Sequence, residues 1–140
     1  LKPDIVVIEL GANDFWQNKR PIEQLRQDME LMVVRAQLAG AQVVIASCFG
    51  QRDYLIEEKI EYGDERYSLA DNISKMEEQV CRKYNYFYVP NMQIDIKPNG
   101  SERYWADKNH PNKVGNRYVA KRIYAALKKA LAACDAKGVR

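Results

Sequence analysis

Residues 4–14 read "DIVVIELGAND". The first part, "DIVVIEL" at 4–10, is a β-branched apolar run bounded by Pro3 and Gly11, the pattern of a strand buried on both faces. The second part is small, polar and turn-forming, and it leads into Phe15 and Trp16. In open parallel sheets ligands bind outside the carboxyl ends of the strands, so such a turn lies where a site is built.

Working outward, the same alternation repeats. Ile22, Leu25, Met29, Met32, Val33 and Ala36 recur at helical spacing, with Pro21 at the start and Gly40 past the end. "QVVIAS" at 42–47 is a second strand, and Leu69, Ile73, Met76 and Val80 mark a helix ending near Tyr84. "YFYVP" at 86–90 is a third strand. A closing helix begins near Asn112 and carries its stripe on Val119, Ile123, Ala126, Leu127, Ala130 and Leu131.

The order β-α-β-α-β-α implies parallel strands joined by right-handed crossovers, a three-layer α/β/α fold. Residues 48–67 and 91–111 lack clear periodicity. Loops that long are functional or conceal a short helix, and "YLIEEKIEY" reads as one such helix.

At 140 residues the chain is one domain, 1–140, with 46% hydrophobic and 29% charged residues, a composition too apolar for disorder. Lys and Arg exceed Asp and Glu by only 22 to 19, and the signs are interspersed. A nucleic-acid surface needs a concentrated positive footprint, so no nucleic-acid partner is expected. No apolar run reaches the roughly 20 residues that span a bilayer. Cys48, Cys81 and Cys134 lack metal-ligand spacing and form no disulfide framework. The chain opens on Leu-Lys-Pro and enters a strand at once, which reads as part of a longer polypeptide, so any signal peptide and the localisation lie outside this reading.

The single histidine, His110, stands in "ADKNHPNKVG". Asp107 precedes it by three residues, a spacing that in a tight turn lets the carboxylate accept from imidazole Nδ1 and leaves Nε2 as a base. Pro111 biases His110 away from helical dihedrals and suits the first turn of the next helix. Read by itself, the histidine is more simply a structural residue at a helix entrance. Asn13 likewise reads in two ways, as a cap of a short helix holding Phe15 and Trp16 or as an amide donor to an oxyanion.

Together "GAND" after a buried strand and "DKNHPN" before the last helix resemble two blocks of the SGNH hydrolases, the GDSL-type esterases and lipases. The resemblance spans nearly the whole chain and implies a flavodoxin-like parallel sheet, a Ser-His-Asp triad and acyl-enzyme chemistry on an ester without metal or organic cofactor. It assigns Asn13 as oxyanion donor, His110 as base and Asp107 as its orienting partner.

The family's Gly-Asp-Ser block is not in this sequence. Ser47, Ser68, Ser74 and Ser101 all lack that context, and Ser47 reads as a small residue ending a buried strand. The nucleophile is therefore expected on N-terminal strands outside this chain, and the 140 residues alone are expected to be inactive and poorly stable, in need of a complementing segment. Phe15, Trp16, Tyr54, Tyr104 and Trp105 are candidates to line a pocket for a small acyl-ester substrate: a lipid, a thioester or an acetylated sugar. The alternative is a catalytically inactive binding or scaffold domain on the same fold.

Overall fold

The computed structural model describes residues 2–17, 20–48, 65–96, 100–107 and 110–136. "YLIEEKIEY" and Tyr54 lie outside them. Strand β1 (Ile5–Ile8) leads into the short helix α1 (Ala12–Gln17), then α2 (Ile22–Leu38) and β2 (Gln42–Ala46). Helix α3 (Glu65–Tyr84), β3 (Phe87–Val89), a 3-10 turn (Ile94–Ile96) and α4 (Lys113–Ala136) complete the order.

The sheet is parallel throughout, in the order β1-β2-β3, with Val6 opposite Val43 and Ile45 opposite Tyr88. Helices α2 and α3 pack together on one face, while α4 packs on all three strands. This is the expected α/β layering. Its core is β2, in which all five residues are buried, closed by Val33 from α2 and by Ile73, Met76 and Val80 from α3. Each such aliphatic side chain contributes about 1.5–3 kcal/mol by leaving water.

The burial expected of β1 differs. Ile8 is buried, but Val7 is 42% exposed and Leu10 46% exposed. The reason is pairing: among the described residues β1 bonds only to β2, so its outer edge is open. A groove of about 490 Å³ runs beside that edge, walled by Val6, Val7, Ile8, Leu10, Met32 and Ala36. Within the aperiodic stretch 91–111 the described residues hold the 3-10 turn and a further turn at 102–104.

Candidate active site

The corner before α4 is assembled from its own backbone. Trp105 is buried, donates from its indole to the Ile96 carbonyl at 2.7 Å, and bridges to Pro111. The Ala106 N–H donates to the His110 carbonyl at 2.8 Å, and the Asn112 N–H to the Tyr104 carbonyl at 2.8 Å. Chain on either side of the Asp107–His110 turn is thus held at both ends.

Asn112 locks this corner to the helix. Its Oδ1 accepts from the Val114 and Gly115 N–H groups at 2.8 and 3.0 Å, satisfying two of the amides that a helix start leaves unpaired. Its Nδ2 donates to the Glu102 carbonyl at 3.1 Å and the Trp105 carbonyl at 3.4 Å. Gly115 is required by proximity, since a Cβ there would sit 2.2 Å from the Tyr104 carbonyl oxygen.

On that corner Asp107 Oδ2 lies 2.8 Å from His110 Nδ1, and Asp107 Oδ1 accepts the His110 backbone N–H at 2.8 Å. An ionised carboxylate only accepts, so Nδ1 carries the proton and Nε2 of the neutral ring is the free acceptor. Both side chains are open to approach, 77% exposed for His110 and 58% for Asp107.

Asn13 reaches the same place from β1. Gly11, at φ 100°, makes the turn that L side chains resist, and α1 starts immediately after it. Asn13 lies within the first turn of α1, not at its cap. It lines a cleft of about 570 Å³ together with His110, and Glu9, Cys48, Gln93 and Asn116 join them there. Those four carried no motif, but Glu9 and Cys48 stand within two residues of a strand end, the positional signal that finds them.

Cys48 donates to the Glu9 carboxylate across the ends of β1 and β2. Behind them Glu77 of α3 is wholly buried, and burial, helped by the negative charge of Glu9 and partly offset by the Ser47 hydroxyl, pushes its carboxyl up to about 8. Glu77 is therefore neutral at pH 7.

The other sequence candidates fall elsewhere. Ser47 is fully buried, and its backbone joins Val89 and Met92, so it ends β2 and meets no solvent. Trp105 is core, and Tyr104 packs edge-on against Tyr118 with ring centres 5.3 Å apart. Neither lines the cleft. Phe15 and Trp16 belong to α1, but their side chains, like Tyr54, lie outside the described part. Among the described residues no group of three His, Cys, Asp or Glu side chains is placed to hold a metal ion, and no helix is long and apolar enough to cross a membrane.

A parallel α/β sheet with helices on both faces is the layering of the SGNH-type hydrolase fold. The sequence matches the GDSL-like Lipase/Acylhydrolase family over residues 1–118, and the chain belongs to that family. It is similar to the crystal structure of TesA, at 25% identity and a TM-score of 0.71 over 92% of this chain and 64% of that one. A GDSL-like lipase from Bacteroides thetaiotaomicron superposes with a TM-score of 0.69 at 18% identity, over 91% of this chain and 63% of that one. An acetylxylan esterase from Geobacillus stearothermophilus gives 0.67 at 15% identity, over 89% and 59%. The chain thus spans less than two thirds of the length of these structures. No curated protein matches the sequence significantly.

Proposed function

We propose that this chain supplies the base and oxyanion side of a serine ester hydrolase. The observation that carries the reading is that His110, paired with Asp107, lines the same cleft as Asn13. His110 Nε2 removes the proton of an attacking serine hydroxyl, and Asp107 holds the ring and stabilises the imidazolium that forms. The Asn13 amide donates to the oxyanion of the tetrahedral intermediate. His110 then protonates the leaving alcohol, and water repeats the cycle on the acyl-enzyme.

The serine comes, in this reading, from a further strand that pairs along the open edge of β1. The exposed Val7 and Leu10 and the groove beside them support that placement, because an unpaired apolar edge is a hazard that folded domains cover. The substrate is a small acyl ester, as the family and the names of its structural relatives suggest.

A second reading, a binding or scaffold domain without turnover, draws on one observation: Ser47, the serine at a strand end, is buried out of reach. Hydrolysis of p-nitrophenyl acetate by the complete reading frame that contains this chain decides between them. Turnover abolished by His110→Ala establishes the hydrolase, turnover unchanged in that variant removes His110 from the chemistry, and no turnover on any acyl ester leaves the binding domain.

A further inference from the structure

At the outer edge of β3, away from the open edge of β1, a cavity of about 370 Å³ lies between α3 and α4 and is lined by Ser74, Glu78, Tyr88, Asn91 and Arg122. Asn91 is 5% exposed, yet neither its Oδ1 nor its Nδ2 has a hydrogen-bond partner among the described residues. Leaving a buried amide unpaired is costly, because the group has given up water without a replacement. The Nε of Arg122 is likewise buried and has no partner among the described residues.

The backbone of Asn91 takes part in shaping the turn. It takes φ 40°, its carbonyl accepts from Ile94 at 3.2 Å, and the next amide, Met92, donates to Ser47 at 2.9 Å. The fold therefore accounts for the Asn91 carbonyl but not for the amide head. Across the cavity Ser74 and Tyr88 present hydroxyls that bond each other at 2.9 Å.

The charges decide the chemistry of a ligand. Glu78, which also pairs with Arg82, contributes a carboxylate, and Arg122, which also pairs with Asp95, contributes a guanidinium. A phosphate would meet Glu78, and a metal or ammonium ion would meet Arg122. A hydroxyl donates one hydrogen and accepts through its lone pairs, so a ligand carrying several hydroxyls offers donors to the Asn91 Oδ1 and the acid and acceptors to the Asn91 Nδ2 and the Arg122 Nε.

We propose that this cavity is a binding site for a neutral, hydroxyl-rich ligand of the class of a sugar unit, read chiefly by the Asn91 amide. It stands beside the His110 cleft, because Met92 and Gln93, next along the chain, line that cleft. Binding here requires no turnover, so it is independent of the hydrolase assignment.

The test is titration of the 15N-labelled protein with xylotriose, maltotriose, cellotriose and inorganic phosphate, each to about 10 mM, a range that detects millimolar affinity. The expected result is saturable movement of the Asn91 side-chain amide signals with at least one saccharide and none with phosphate. Asn91→Gly, which keeps the positive φ, should weaken that affinity roughly tenfold or more, about 1.4 kcal/mol, and His110→Ala should leave it unchanged. Where Asn91→Gly does not fold by circular dichroism, Tyr88→Phe takes its place with the same expectation. No movement with any saccharide, movement with phosphate alone, or affinity unchanged in the variant overturns the proposal.

Discussion

Asp107 grips His110 at two points, one carboxylate oxygen on the backbone N–H and the other on imidazole Nδ1, each at 2.8 Å. The main-chain bond fixes where the ring is attached, and the ring bond fixes which nitrogen holds the proton. Asp107→Asn offers an amide that can donate, which favours the opposite tautomer. In the complete enzyme we expect kcat to fall by about ten-thousand-fold, the size of the effect where an orienting carboxylate of a triad is so changed. Because this sequence has one histidine, its imidazole 15N signals are unambiguous, and they should show the proton on Nδ1 in the parent chain and on Nε2 in the variant. An unchanged tautomer removes the orienting role from Asp107.

Asn13 sits on the same cleft with an exposed amide. An oxyanion donor bonds to charge that exists only in the transition state, so Asn13→Ala should lower kcat by about a hundred- to a thousand-fold and move KM little. Steady-state kinetics of the complete enzyme on a short-chain ester separates the two constants. A raised KM at constant kcat makes Asn13 a substrate-binding residue instead.

The support beneath His110 is tested at Gly115. A methyl group there collides with the Tyr104 carbonyl, and the neighbour is backbone tied by its own bond from Asn112, so it has little freedom to yield. Gly115→Ala should cost roughly 1–3 kcal/mol in denaturant unfolding, the usual range for overpacking. Asn112→Ala should cost about 1–2 kcal/mol through the lost cap, and more if the Glu102 and Trp105 carbonyls go unpaired. A Gly115→Ala protein as stable as the parent, with the His110 signals unmoved, separates the corner from α4.

Much of this architecture is legible in the sequence because it is periodic. The runs at 42–47 and 86–90 contain β2 and β3, and the stripes on Leu25, Met29 and Val33 and on Ile73, Met76 and Val80 mark the buried sides of α2 and α3. The Asp-x-x-His spacing is local, so it too can be read. What escapes is tertiary. Nothing local shows that β1 has one open edge, that Trp105 is core and not cleft, or that the Asn91 amide is enclosed. Glu77 is the instructive middle case: it stands four residues from both Ile73 and Cys81, on the same buried stripe, yet beside Glu78 it reads as part of a solvated pair.

That buried carboxyl has a thermodynamic consequence. Its value is raised to about 8 from an ordinary 4.5, so between those pH values the native state keeps a proton that the unfolded chain has released. Where the native state binds more protons, stability falls as pH rises, so the contribution is intact below the unfolded value and fully lost above the folded one. Thermal unfolding of the parent chain followed from about pH 5 to about pH 8.5 should therefore show a declining midpoint, with a loss on the order of a few kcal/mol assigned to this group. Glu77→Gln preserves the shape of the neutral acid and cannot ionise. It should match the parent near the acidic end, flatten the profile, and be the more stable protein at the alkaline end. A decline of the same slope in Glu77→Gln assigns the pH dependence to other groups and means that Glu77 is ionised, or absent from the core, in solution.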